Sequence, residues 1–303
     1  MNNYQPVYRP TFKNGSLKIK DEALRKQLYS CNICPHRCAV NRNEDIKGIC
    51  STGEKAMVSS YNPHFGEEAP LVGNHGSGTI FLTHCNLLCS FCQNYEISHE
   101  GYGTEVTDVQ LAYIMLELQQ KGCHNINFVT PTHVLPQILS ALIIAIEAGL
   151  RIPLVYNSGG YDKVETIRLL DGVFDIYMPD FKFWEDDLAI SACHVKNYRE
   201  VACKVIKEMH RQVGELIVNQ NGIAERGLLI RHLVMPGHLD DTRKILKFIA
   251  NEISPDTYVN IMPQYRPCGR AGEIDTINRP LSKSEYNEAL QIAKEEGLSL
   301  LAS

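Results

Sequence analysis

Residues 79–95 read TIFLTHCNLLCSFCQNY, a short apolar stretch followed at once by three closely spaced cysteines. The apolar residues 79–82 predict a buried strand, and Cys85, Cys89 and Cys92 lie in the loop after it. Three thiolates on one loop bind three irons of a four-iron cluster and leave the fourth iron open for chemistry. A zinc ion held by the same cysteines and His84 is the competing interpretation, and it is disfavoured because adjacent residues seldom reach one ion.

Strand and helix patterns alternate from this stretch toward the C-terminus. Apolar runs predict further strands over 125–129, 152–156, 174–178, 227–234 and 258–262. Helical spacing predicts helices over 108–122 (capped by Thr107 or Asp108), 135–149, 162–170, 186–191, 198–213, 241–251 and 283–296. Six strand–helix units predict a parallel α/β sheet, either doubly wound and open or a barrel that is not fully closed. Residues 1–60 show little periodicity, and 61–78 are expected to form a loop.

Composition excludes several classes of protein. The 303 residues are 44% apolar and 21% charged, which is typical of a globular chain with a sizeable core. A net charge of −5 argues against a nucleic-acid partner. No apolar run approaches the roughly 20 residues that cross a bilayer, and the polar residues 1–20 do not resemble a signal peptide. We therefore expect no membrane partner and a cytoplasmic location.

A second group of cysteines precedes the predicted sheet. Cys31, Cys34, Cys38 and Cys50 place four thiols within 20 residues. Four cysteines that include a Cys-x2-Cys pair match structural zinc, and they equally match a four-iron cluster. We therefore predict a second metal site, with zinc and iron–sulfur both open. The isolated cysteines 123, 193 and 203 are interpreted as core thiols, and Cys268 lies in a polar loop.

The three-cysteine loop, with Phe91 just before the last cysteine, resembles the signature of the radical S-adenosylmethionine superfamily. The resemblance implies a partial (β/α)6 barrel, a [4Fe-4S] cluster on the three cysteines, and S-adenosylmethionine chelated to the fourth iron. It implies that a reduced cluster splits the sulfonium bond and that the resulting 5′-deoxyadenosyl radical takes a hydrogen atom from a substrate. A low-potential electron donor such as flavodoxin or ferredoxin is implied as a partner.

Four later segments resemble activating enzymes of glycyl-radical enzymes, of the pyruvate formate-lyase type. Each follows or ends a predicted strand, and they begin at Asn157, Asp180, Arg231 and Asn260. Cys92-Gln93-Asn94 resembles the Cys-His-Asn of these enzymes. In the family the lysine that corresponds to Lys182 lies by the S-adenosylmethionine carboxylate. Arg231 and His232 alternate in direction, so only one faces the interior, and we favour Arg231 because it can bind a carboxylate by two hydrogen bonds.

One segment departs from the family pattern. Where activating enzymes have Gly-Gly-Glu-Pro, which receives the methionyl amino group, this chain has Thr-Pro-Thr-His at residues 130–133. The departure predicts a subgroup distinct from authentic activating enzymes. The residues expected to contact the cofactor are Phe91, Gln93, Thr130, Thr132, His133, Asn157, Asp180, Lys182 and Arg231.

The preferred hypothesis is a radical enzyme that takes hydrogen from a glycine in a protein substrate. The same chemistry on a small molecule or a peptide side chain is the first alternative, and a non-catalytic zinc or iron–sulfur module is the second. The predicted organisation is a cysteine-rich segment over 1–60, the barrel over 61–266, and a C-terminal loop and helix over 267–303.

Overall fold

Six parallel strands form the centre of the computed structural model, which describes residues 4–299. The strands of the sheet are β1 (Ala56–His64), β2 (Ser77–Leu82), β3 (Thr104–Val106), β4 (Ile126–Val129), β5 (Leu154–Ser158), β6 (Ile176–Pro179), β7 (Ile217–Val218), β8 (Ala224–Leu233) and β9 (Tyr258–Met262). The parallel order is β2-β4-β5-β6-β8-β9. Within residues 4–299 no pairing joins β9 back to β1 or β2. The sheet is therefore a partial (β/α)6 barrel, as predicted.

Antiparallel strands flank the parallel array at β2 and also pair with β8, next to its other end. β1 pairs with β2 and β3 pairs with β1, while β7 pairs with the start of β8. Strands β5 and β6 are buried along their whole length, because helices cover one face and interior side chains cover the other.

Helices lie before, between and after the parallel strands. They are α1 (Tyr8–Lys13), α2 (Ser16–Lys26), α3 (Ala69–Val72), α4 (Tyr95–Ser98), α5 (Asp108–Gln120), α6 (Leu135–Glu147), α7 (Val164–Leu169), α8 (Asp186–Cys193), α9 (Tyr198–Val213), α10 (Leu239–Phe248) and α11 (Lys283–Glu295). A π-helical turn, Ile249–Ile253, continues α10. No helix within residues 4–299 is both long and apolar enough to cross a membrane.

Two sequence predictions about the N-terminal third are wrong. The expected lack of regular structure over 1–60 fails at α1 and α2, which form there and pack on α6, whereas residues 27–55 contain only one 3-10 turn. Only Leu17 and Leu24 of α2 are buried, so its apolar pattern is too sparse to stand out. Residues 61–78 are not one loop, since β1 runs to His64 and β2 begins at Ser77. Pairing with β2 and β3 stabilises β1 even though it contains Asn62 and Pro63.

The predicted segment boundaries remain predictions. Strand β1 crosses the first of them, at residue 60, and α11 packs against α10 beyond the last.

The start of α5 provides a test of local stability. Thr107 accepts a hydrogen bond from the Gln110 N–H at 3.2 Å, and the Gln110 side chain accepts one from the Thr107 N–H at 2.8 Å. Thr107→Ala removes this cap, so we expect the free energy of unfolding to fall by about 1 kcal/mol. Urea denaturation followed by circular dichroism measures it. The exposed neighbour Val109 serves as the control through Val109→Ala, and equal effects of the two changes would contradict the prediction.

Candidate active site

A cavity of about 960 Å³, counting its open mouth, lies where the parallel strands end. In parallel βα folds this edge collects functional groups, because every strand delivers its following loop there. Its lining includes Cys85, Leu87, Cys89, Phe91, Cys92, Gln93, Asn94, Ser98, Val129, Thr130, Asn157, Ser158, Gly159, Asp180, Lys182, Arg231, Leu233, Met262 and Gln264. All strands from β2 to β9 of the parallel array contribute to it.

The loop between β2 and α4 holds three cysteines against this cavity. Hydrogen-bond donors face two of the sulfurs: the Leu87 N–H lies 3.3 Å from the Cys85 Sγ, and the Ser98 hydroxyl lies 3.2 Å from the Cys92 Sγ. Donors of this kind stabilise thiolates and tune iron–sulfur clusters. His84 and Leu88 adopt left-handed backbone conformations, with φ of 66° and 49°. The loop is therefore shaped tightly around its cysteines.

Cys193, at the end of α8, lies beside the cysteine loop and was missed as a site residue. Its thiol hydrogen-bonds Cys89, and this bond, together with the charge of Lys182, lowers the pKa of Cys89 despite burial. The backbone is joined as well, because the Ser90 N–H donates to the Ala192 carbonyl at 2.7 Å. A lone helical cysteine carries no sequence signal for this position, since only the packing of α8 brings it to the loop.

Charged side chains from the ends of β6 and β8 meet a polar side chain of β5 beside the cysteines. The Lys182 ammonium lies 2.6 Å from one oxygen of Asp180, and the Arg231 Nε lies 2.8 Å from the other. Arg231 also donates to the Asn157 side-chain oxygen at 2.6 Å. Burial by itself would raise the pKa of Asp180, but the two cations hold that pKa below its ordinary value. The described lining thus contains two cations and one carboxylate.

Glycine at position 160 permits this convergence. Gly160 has φ of +76°, and a Cβ there would lie 2.1 Å from the Asp180 carbonyl oxygen. The loop after β5 therefore approaches the end of β6 more closely than another residue allows.

The interior neighbours of Arg231 include two acidic residues that sequence reasoning missed. Arg231 lies 3.8 Å from a Glu67 oxygen and 4.0 Å from a Glu68 oxygen, and Asn260 donates to Glu68 at 3.0 Å. Adjacent glutamates in a polar stretch resemble a solvated turn, so the sequence carries no signal for their burial. His232 points to the opposite side of β8, where it bonds the Phe181 carbonyl and Thr242.

The segment at 130–133 is only partly in the cavity. Thr130 lines it in a left-handed conformation, with φ of 62°, and its N–H donates to the Asn157 carbonyl at 2.8 Å. Thr132 is instead buried against Asp162 at 2.6 Å, and the His133 ring bonds the Thr83 carbonyl at 2.8 Å. We expected the Thr132 and His133 side chains to face the cofactor. Both instead form hydrogen bonds with residues outside the cavity lining, so this expectation is corrected.

Phe91 and Gln93 also line the cavity. The Phe91 ring packs edge-on against Phe183, with centroids 6.0 Å apart, and also contacts Tyr265. Gln93 donates to the Gln264 carbonyl at 3.1 Å, which ties the cysteine loop to the segment after β9. The predicted contact residues other than Thr132 and His133 therefore share one cavity.

The four N-terminal cysteines form a separate group. Cys31, Cys34 and Cys50 are buried, and Cys38 is half-buried. Burial, together with the nearby thiols of the other three cysteines, raises the pKa of Cys34 to about 12. Among the residues that the structure describes, no three side chains of the metal-binding types converge at the distances of a single-ion site.

Comparisons with known proteins identify the class. The sequence profile of the Radical SAM superfamily matches residues 79–249, which is more than half of the chain. The chain therefore belongs to the radical SAM superfamily, and the resemblance seen in the cysteine loop is confirmed. Over 298 residues it is 36% identical to the uncharacterized protein MJ0674 of Methanocaldococcus jannaschii, which covers 95% of this chain and 81% of that protein.

Solved structures give more distant similarities. A domain of pyruvate-formate lyase-activating enzyme from Bacteroides vulgatus is 16% identical with a TM-score of 0.37, covering 65% of this chain and 91% of that one. SuiB of Streptococcus suis is 14% identical with a TM-score of 0.47, covering 73% of this chain and 47% of that one. Methylornithine synthase is 13% identical with a TM-score of 0.49, covering 73% of this chain and 62% of that one.

Membership in the family implies an enzyme with a [4Fe-4S] cluster and S-adenosylmethionine. The residues present fit both groups. Three cysteines on one loop, with donors on two of their sulfurs, match a cluster that keeps one iron open. The neighbouring Lys182, Arg231 and Asp180 provide both signs of charge for the ammonium and carboxylate of an amino acid moiety.

The buried charge cluster provides a test of stability. Asp180→Ala leaves Lys182 and Arg231 without their shared carboxylate, so we expect the free energy of unfolding to fall by about 3–5 kcal/mol. Asp187→Ala, at an exposed acid in the first turn of α8, should cost less than about 1 kcal/mol. Chemical denaturation of both variants measures the difference, and similar losses would argue against a buried cluster.

Proposed function

We propose that this radical SAM enzyme removes a hydrogen atom from a glycine in the backbone of a protein substrate. The observation that carries the proposal is one cavity that combines Cys85, Cys89 and Cys92 with Lys182 and Arg231. When bound, the reduced cluster and S-adenosylmethionine supply a carbon radical that accepts a hydrogen atom. The reaction would consume one electron from an external donor and one S-adenosylmethionine. It would release methionine and 5′-deoxyadenosine and leave a radical on the substrate carbon.

Each part of the cavity has a proposed task. The three cysteines hold the cluster, while Lys182 and Arg231 bind the carboxylate of S-adenosylmethionine and Asp180 keeps both cations in place. Phe91 and Leu87 cover the cysteines with apolar surface, which excludes water from the reacting atoms. The electron comes from a low-potential donor of the flavodoxin or ferredoxin class.

The open side of the barrel supports a protein substrate. In the part of the chain that the structure describes, β9 does not pair with β1, and the cavity opens to solvent at the same strand ends. A loop of a partner protein needs such an entrance, because a backbone carbon cannot enter a closed pocket.

Formation of 5′-deoxyadenosine tests the chemistry. Anaerobically reconstituted and reduced protein should form it from S-adenosylmethionine, and Cys85→Ala should fall to the level without enzyme because one cluster ligand is lost. Cys203→Ala, which changes a cysteine of α9 outside the cavity, is the matched control and should keep the activity. A wild-type chain that takes up iron and S-adenosylmethionine but forms no product, even with added partners, would favour a non-catalytic module.

Deuterium transfer tests the substrate. A candidate partner produced with deuterated glycine should pass deuterium into 5′-deoxyadenosine and show a glycyl radical by electron paramagnetic resonance. Product without deuterium and without a glycyl radical would favour a small molecule or a peptide side chain as the hydrogen donor.

Binding of S-adenosylmethionine tests Lys182. Lys182→Met removes a charged hydrogen-bond donor, which is worth about 1.5–3 kcal/mol, so the Kd should rise about ten- to a hundredfold. Lys204→Met changes an exposed lysine that pairs with Glu200 outside the cavity and should leave the Kd unchanged. Equilibrium dialysis with the reconstituted protein measures both values, and an unaltered Kd in Lys182→Met would remove this residue from the site.

A further inference from the structure

The N-terminal cysteine segment is folded by its own backbone into a compact turn. The Cys31 N–H donates to the Val40 carbonyl, and the Ala39 N–H donates back to the Cys31 carbonyl, both at 2.9 Å. Between them the Arg37 N–H donates to the Cys34 carbonyl at 3.2 Å. This pairing brings Cys31 and Cys34 next to the chain at Cys38.

A second turn packs Cys50 onto the same place. The Ser51 N–H donates to the Gly48 carbonyl at 3.0 Å. Gly48 lies so close to Cys38 that a Cβ on it would be 2.7 Å from the Cys38 sulfur. Any other residue at 48 would therefore displace this thiol. The two turns bring the four cysteines into one neighbourhood, where the thiols of Cys31, Cys38 and Cys50 act electrostatically on Cys34.

Backbone donors face two of these sulfurs. The His36 N–H hydrogen-bonds the Cys34 sulfur, and the Thr52 N–H hydrogen-bonds the Cys50 sulfur. N–H groups directed at sulfur stabilise the thiolate form, which is the form that binds metals. The arrangement is the same in kind as the donors around Cys85 and Cys92.

We propose that Cys31, Cys34, Cys38 and Cys50 bind a metal centre through four thiolates, and that His36 links this centre to the loop of the catalytic cluster. The ligand chemistry is four thiolates around either Zn²⁺ or an iron–sulfur cluster. The backbone turns are already formed. A single ion would require the sulfurs to move closer together, since no three of them lie at single-ion distances in the described residues.

His36 connects the two cysteine groups directly. It lies between Cys34 and Cys38, and its ring Nε2 donates to the Asn86 carbonyl at 2.6 Å, one residue after Cys85. Asn86 is in turn held by the Tyr161 carbonyl at 2.7 Å. His36 is thus a positioning residue for the cluster loop.

Further hydrogen bonds fasten the cysteine segment to the barrel. Thr166 of α7 donates to the Ile33 carbonyl at 2.7 Å, and the buried Arg42 donates to the His133 carbonyl at 2.8 Å. A metal that orders residues 31–50 therefore also fixes one wall next to the cavity.

Metal analysis tests the site. The variant with Cys85, Cys89 and Cys92 all changed to Ala has no catalytic cluster, so metal that remains after anaerobic reconstitution with iron, sulfide and zinc belongs to the N-terminal group. We expect about one zinc, or about four irons with matching sulfide, per chain. Adding Cys31→Ala and Cys34→Ala should abolish it, whereas adding Cys123→Ala and Cys203→Ala should not.

Three results would overturn the metal site. The first is no bound metal in the triple variant while circular dichroism shows it folded. The second is metal that persists when Cys31 and Cys34 are replaced. If the quintuple variant does not fold, the single variant Cys38→Ala is compared with wild type. Cys38→Ala should lose about one centre's metal and keep the catalytic iron. Thiol titration of the wild-type chain showing two disulfides in place of metal would also overturn it.

Spectroscopy of the catalytic cluster tests the role of His36. In His36→Ala the N-terminal metal content should stay at the wild-type level, while the electron paramagnetic resonance spectrum and midpoint potential of the reduced catalytic cluster should change. His36→Gln retains a donor for Asn86 and should restore the wild-type spectrum. His75→Ala, at an exposed histidine just before β2, at the strand end opposite the cysteine loop, is the control. A wild-type spectrum in His36→Ala would overturn the link, and none of these readouts depends on the identity of the substrate.

Discussion

The largely buried guanidinium of Arg231 joins the interior of the partial barrel. It contacts Asp180 and Asn157 at the cavity, and Glu67 and Glu68 on its other side. An ionised group inside a protein must be matched by opposite charge and hydrogen bonds, or its desolvation destabilises the fold. Arg231 therefore connects three strand ends to the loop before β2. These contacts fix the positions of the strand ends and so determine the shape of the cavity beside the cysteines.

Around this interior, the chain surrounds reactive sulfur with fixed donors. Leu87 and Ser98 donate hydrogen bonds to cysteine sulfurs of the loop, and the thiol of Cys193 hydrogen-bonds Cys89. His36 donates to the loop backbone at Asn86. Such outer contacts orient ligands and tune their electronic properties. The cofactors supply the difficult chemistry in this family, so the contribution of the protein lies in this positioning.

Most of the barrel was predictable because its elements have strong local signals. The strands after 79–82 are short apolar runs. Thr107, which forms a capping box with Gln110, marks the start of α5. Helix α2 and strand β1 were not predictable, since few of their residues are apolar and their stability comes from packing on α6 and pairing with β2. In the site, the spacing of the three cysteines was enough to predict the loop that lines the cavity. The expectation that Thr132 and His133 face the cofactor came from the family resemblance, and this segment departs from the family pattern.

The sequence by itself determined the class of protein, because Cys-x3-Cys-x2-Cys after a strand is a local pattern whose chemistry depends on spacing along one loop. Only the tertiary structure decided which distant residues join it. Glu67, Cys193 and His36 lie in unrelated parts of the chain, and nothing near them marks a function. They meet at Arg231, Cys89 and Asn86 because the parallel strands and packed helices bring residues far apart in sequence into contact, and no local pattern encodes such contacts.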